Sequence, residues 1–169
     1  MLAFLALSVL ESERHHVTSQ LAMRLGNKGF SIETNKSSIN AQFDVRKAAL
    51  FIGVIAENNT NTKIVLELWH FANTNKRRSL LFIEESCLEK LDKVDKKNFM
   101  THPNVVIFNR FDADVALAKA KNKIKEACDS YIDYSKDERQ DNALAWILGG
   151  VAAFTIIDLL RVERQLASA

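Results

Sequence analysis

The chain has 169 residues, of which 47% are hydrophobic and 26% charged, with a net charge of +2. These are the values of a globular domain long enough to bury a real core. A single proline, Pro103, and five glycines exclude linkers and low-complexity tails, and so small a net charge gives no general pull towards nucleic acid or acidic lipid.

Residues 2–10 are apolar apart from Ser8, like the middle of a signal peptide. They lack a basic start, however, and Glu11, Glu13 and Arg14 stand where a small-residue cleavage site belongs. They read as a strand buried on both faces, so no targeting segment is expected and the protein is read as cytoplasmic. Cys87 and Cys128 have no CxxC spacing and are expected as free thiols.

A helix follows, with Ser12 as a candidate cap, Val17, Leu21, Met23 and Leu25 as apolar positions, and Gly26 and Gly29 at its end. Residues 30–33 make a short second strand. Ser37 or Ser38 can cap a short helix through Phe43, Val45 and Lys47. Residues 48–56 hold Leu50, Phe51, Ile52, Val54 and Ile55, the strongest strand of the chain. After an acid and amide loop, residues 62–73 have helix periodicity, with Ile64, Val65, Leu68 and Phe71 on one stripe and Trp69 and Ala72 beside it. Residues 79–83 are a fourth strand, 84–99 a charged helix anchored by Leu88, Leu91 and Val94, and 105–108 a fifth strand. Asp112 or Asp114 can cap a last helix whose outer face holds Lys119, Lys121, Lys123 and Lys125, read as solvated for want of interleaved aromatics, with no nucleic-acid partner expected.

Five βα units in alternation imply an α/β domain over residues 1–132. Its architecture is doubly wound and flavodoxin-like, a five-stranded parallel sheet of order 2-1-3-4-5 with its switch point between strands one and three. Residues 133–169 stand apart. From Ala143 to Leu160 the chain is apolar on all sides until Asp158, about 27 Å as a helix and just short of the bilayer core. Two coverings are open, an interface between subunits and a membrane. The interface is favoured because Asp158 is costly in lipid and Gly149, Gly150 and Ala153 allow close backbone approach, so a homo-oligomer through this helix is expected.

Ligands of such a sheet bind outside the carboxyl ends of the strands at the switch point. That rim is built by residues 8–14, 34–40 and 57–63. Glu67 leaves it on the third helix, and His70 follows three residues on. A carboxylate there suits chemistry at a sugar C1, where it would stabilise an oxocarbenium-like state, whereas pairing with Lys63 at i−4 would make it an ordinary solvated acid. No GxGxxG or GxxxxGK[ST] exists, so a phosphate would use Arg14 or the helix starts near Ser12 and Thr62. The adjacent His15 and His16 point about 100° apart on a helix and cannot easily share one metal. His102 reads as a turn residue, and Trp69 and Trp146 as packing residues.

Strand, polar loop, helix with Glu67 inside Leu66-Glu67-Leu68, charged turn and LLFI together resemble the core of the Toll/interleukin-1 receptor (TIR) domains. They are equally similar to the nucleoside 2-deoxyribosyltransferase-like proteins. The opening SVLESERHHV resembles the first strand and helix of TIR-like domains of bacterial signalling and defence proteins, with Glu13-Arg14 matching an acid–Arg pair. The resemblance implies a nucleotide N-glycosidase with NAD as substrate and no cofactor or metal. It assigns Glu67 as the catalytic carboxylate, while the place of the other residues at the rim makes Arg14 and Ser8 the expected holders of phosphate or ribose, and Asn58, Asn59 and His70 further expected binding residues. The alternatives are a non-catalytic nucleotide-sensing or oligomerising signalling module, and a membrane-attached effector. The chain departs from the transferases, with Ser8-Val9-Leu10-Glu11 in place of a Tyr- and Gly-containing loop, and from the TIR enzymes in that Trp69 follows the acid instead of preceding it.

Overall fold

The computed structural model describes residues 2–27, 31–34, 38–91 and 93–109, with Val115, Ala118, Lys119 and Asn122 beyond them. The expected helix at residues 133–169, and with it the domain division and the oligomer interface, lies outside the described residues. In chain order the elements are β1 (Leu2–Ser8), α1 (Glu11–Gly26), β2 (Ser31–Thr34), α2 (Ser38–Lys47), β3 (Leu50–Ile55) and α3 (Thr60–Thr74). They are followed by β4 (Ser79–Glu84), α4 (Glu85–Leu88), α5 (Lys93–Thr101) and β5 (Val105–Phe108). The sheet is parallel throughout, in the order β2-β1-β3-β4-β5. The doubly wound α/β fold expected from the alternation of elements is therefore the fold observed.

The central strands β3 and β4 are buried at every position, the mark of a sheet covered on both sides. Right-handed crossovers put α2, α3 and α5 on one face of this order and α1 on the other. The first face carries Phe4, Ala6, Phe51, Ile55, Leu81, Ile83 and Val105, packed with Val45, Val65, Leu68, Trp69, Ala72, Leu88 and Phe99 from the helices. Alternation sends Leu5, Leu7, Ile52, Val54, Leu80, Phe82 and Phe108 to the second face, where all are buried. The rings of the paired residues Phe4 and Phe51 stack with centroids 6.1 Å apart.

The charged helix expected over residues 84–99 is interrupted. Past Glu89, the amides of Lys90 and Leu91 bond to Cys87 and Leu88, three residues back instead of four, and this tightened turn ends α4 before α5 begins.

Two backbone positions explain how α3 is seated. Gly53 lies at the centre of β3 under this helix. A Cβ built there would stand 2.7 Å from Leu81 Cδ1 and 3.2 Å from Val65 Cγ1, so only glycine lets α3 approach the sheet this closely. At its far end α3 closes with a Schellman arrangement, Arg77 N–H donating to Ala72 O at 2.8 Å and Lys76 N–H to Asn73 O at 2.9 Å. Lys76 takes the left-handed conformation, φ 54°, that glycine usually fills.

These positions give opposite outcomes on substitution. Gly53→Ala should cost about 1–3 kcal/mol, because the obstructing atoms belong to buried side chains. Lys76→Gly should stabilise by about 1 kcal/mol, relief of left-handed strain outweighing the added unfolded-chain freedom. Urea midpoints at unchanged m-value measure both, and an unaltered midpoint for Gly53→Ala would show that the sheet and α3 have room to part.

Candidate functional site

The carboxyl ends of β1 and β3 meet at the switch point, and the residue that joins them is Ser8. Its side chain is fully buried, although it ends an apolar strand. Its Oγ lies 2.7 Å from the Glu57 carbonyl, 2.9 Å from Asn59 Oδ1 and 2.9 Å from Thr62 Oγ1. Thr62 Oγ1 is also 3.1 Å from the Glu57 carbonyl. Each hydroxyl carries one proton, so two protons serve the Glu57 carbonyl, Asn59 Oδ1 and the contact between the hydroxyls. The main chain repeats the connection, with the amides of Ala56 and Glu57 donating to Ser8 O at 2.8 and 3.0 Å.

The same residues start α3. Asn59 is its N-cap, with Oδ1 accepting from Asn61 N–H at 2.9 Å and its own N–H donating to Thr62 Oγ1 at 3.1 Å, a reciprocal capping box. Asn59 Nδ2 donates to Val9 O at 3.2 Å. The helix start, the third rim segment and the end of β1 therefore form one hydrogen-bonded unit.

The structure distributes the sequence-predicted site residues unevenly. Ser8 and Asn59 come together, but their polar atoms are engaged inside this network. Asn58, between them in the loop, is exposed. Arg14 stands half-buried in the first turn of α1. One of its Nη atoms donates to Leu7 O over a long 3.4 Å, and its Nε is buried without a partner. Glu67 lies on the outer side of α3, its side chain 63% exposed and its carboxylate 3.9 Å from Lys63 Nζ. This is the solvated i,i+4 pair that the spacing also permitted. His70 is exposed, with its ring against Trp69 (centroids 5.1 Å) and Phe99 (6.4 Å), and so belongs to the α3–α5 packing. Trp69 is a buried packing residue as expected. His102 meets its ring edge to face at 4.8 Å and accepts from Asn104 N–H at its own Nδ1, which stiffens the turn before β5.

Three rim residues escaped the sequence reading. The sequence marks Thr62 only as a helix start, although Asn-x-x-Thr between a strand and a helix is the spacing of a reciprocal cap. Glu84, the acid directly after Leu-Leu-Phe-Ile, is buried at the carboxyl end of β4. Cys87, seen only as a free thiol, sits close by. Burial pushes its thiol above the usual range, and the charges of Glu84 and, more weakly, Glu57 push it further, so it is held protonated. Among the described residues no cluster of three or more His, Cys, Asp or Glu side chains is placed to hold a metal ion. No helix among them is long and apolar enough to cross a membrane. Residues 143–160 lie outside the described residues.

Comparison with protein-family models, with curated proteins and with solved structures finds no match. The likeness to TIR-like and deoxyribosyltransferase-like proteins therefore rests on element order, on Glu67 and on the Glu13-Arg14 pair alone.

If the Ser8 junction holds the rim, Ser8→Ala should cost about 1–3 kcal/mol through the polar groups it leaves buried. Amide exchange at Asn61 and Thr62 should quicken as the cap loosens. Exchange there at the parent rate, with an unmoved urea midpoint, would reduce the junction to a filler.

Proposed function

We propose that this chain is a non-catalytic module that binds a phosphorylated nucleoside at the switch point. The observation that carries the reading is Arg14. A half-buried guanidinium at the carboxyl end of β1, with one weak intramolecular bond and a buried Nε lacking a partner, is a cation suited to an incoming anion. It stands where ligands of doubly wound sheets enter, on the first turn of a 16-residue helix whose positive dipole end adds to the attraction. The exposed Asn58 is available to ligand hydroxyls at the same rim.

Glycoside chemistry finds less support. An anion that stabilises a ribosyl cation must act where water is excluded, and the Glu67 carboxylate is in water beside a lysine. NAD enters this reading as a ligand to be bound, and the resemblance to signalling and defence domains gives the binding a sensing role.

Calorimetric titration of the full chain with NAD, nucleoside mono- and diphosphates and free nucleosides tests the assignment, with chromatography of the same samples for released base. Phosphorylated ligands should bind, and Arg14→Gln should weaken them about tenfold to a hundredfold, the value of a charge-assisted hydrogen bond. Glu67→Gln should bind as the parent does. Nicotinamide release by the parent that Glu67→Gln abolishes would replace this reading with the hydrolase, and equal affinity of the Arg14→Gln variant would displace the site.

A further inference from the structure

The net charge of +2 conceals a strong asymmetry. In a parallel sheet every helix that follows a strand runs back and ends at the amino-terminal edge, so the last turns of α1, α2, α3 and α5 converge on one end of the domain. There α2 ends in Arg46 and Lys47, and the turn after α3 is Lys76-Arg77-Arg78. The two turns are neighbours, because β3 and β4 pair from Phe51 and Ser79 onward and Phe51 N–H donates to Arg78 O at 2.8 Å. Arg46 lies over the Phe71 ring at 5.3 Å, which brings the end of α2 against α3. Among the described residues none of these five cations makes an ion pair, and four of them are exposed. Five positive charges on two adjacent turns, unpaired among the described residues, repel one another and gain from any dense anionic surface.

The same edge carries exposed apolar side chains. Met23, Phe43 and Met100 are 56%, 59% and 60% exposed, each within about a turn of a helix end there, while Leu10 and Val115 are the other large apolar residues so exposed among the described residues. The Lys47 ammonium sits 4.0 Å over the Phe43 ring and the Arg46 guanidinium 5.3 Å over the Phe71 ring, so each cation engages one ring face. Cations interspersed with flexible apolar side chains at the blunt end of a domain match a headgroup layer with acyl chains beneath it. The opposite edge carries Glu11, Glu57, Glu85 and Glu89 beside Arg14 and Lys63, so the cationic cluster stands at one end.

We propose that the amino-terminal edge of the sheet, through Arg46, Lys47, Lys76, Arg77 and Arg78, docks this domain on an anionic phospholipid bilayer with the switch-point rim facing away. The surface does not depend on what the rim binds.

The test is co-sedimentation of the full chain with vesicles of phosphatidylcholine alone and of phosphatidylcholine with phosphatidylserine, at rising salt. The parent should bind the anionic vesicles only and leave them as salt rises. The triple variant Arg46→Glu, Lys47→Glu, Arg77→Glu should lose binding more than tenfold. A charge-matched control, Lys63→Glu, Lys90→Glu, Lys119→Glu, should retain most of it, circular dichroism confirming that both variants fold. Phe43→Ser and Met100→Ser should each weaken binding severalfold without removing its salt dependence. Absence of parent binding, equal loss in the control, or release by a single-stranded oligonucleotide that binds the edge more tightly than the vesicles would each overturn the proposal.

Discussion

One buried hydroxyl governs how this domain is assembled. A strand covered on both faces can end in a polar residue only if the interior satisfies that residue. Ser8 ends β1 in this way, and what satisfies it is the connection from β3 to α3. The consequence propagates along the helix. With Thr62 held at the junction, α3 begins at a fixed rotation, Val65 descends onto Gly53, and Leu68, Trp69 and Ala72 follow on the inward face. The close approach at Gly53 and the polar knot at Ser8 are two ends of one constraint. The first sets how near α3 lies to the sheet, and the second sets its register along it.

That constraint also decides which rim atoms remain for chemistry. A rim built to hold a ligand usually keeps hydroxyls and amides in reserve. Here Ser8, Asn59 and Thr62 are turned inward, and the loop is bonded to β1 through both main chain and side chains. What is left is one guanidinium, one exposed amide and acids at the ends of β3 and β4. The guanidinium offers one positive charge at this rim, beside the carboxylates of Glu57 and Glu84.

The sequence was most legible where burial is complete. β3, β4 and β5 are continuous apolar runs with turn residues between them, and parallel alternation then fixed their order. It was least legible where one residue more or less rotates a helix. The stripe read on α3 ran through Ile64, Val65, Leu68 and Phe71, which leaves Glu67 about 90° from its centre and within reach of the rim. The buried stripe is Val65, Leu68, Trp69 and Ala72, with Ile64 and Phe71 only half covered. That turn of the wheel carries Glu67 to about 150° from the core, onto the water side. Trp69 and Ala72, which the sequence sets beside that stripe, lie within the buried one. Lys76 was illegible for a different reason. The Schellman turn demands a backbone conformation that lysine does not advertise, and only the bonds of Arg77 and Lys76 back to Ala72 and Asn73 reveal it.

Charge placement follows from the same topology but exceeds what topology requires. Aligned helices present positive ends at the carboxyl edge and negative ends at the amino edge, so acids in first turns and bases in last turns complement them. Glu11 in α1, Glu85 in α4 and Asp95 in α5 do this at their starts, and Arg46 and Lys47 do it at the end of α2. Lys76, Arg77 and Arg78 do not fit that account. The carbonyls of Phe71, Ala72 and Asn73 at the end of α3 are already met by main-chain amides, so these cations are not needed to cap them. Three positive charges beyond the requirement of the helix, added beside two that satisfy a neighbour, are a cost to folding in isolation. An anionic surface outside the domain would offset that cost.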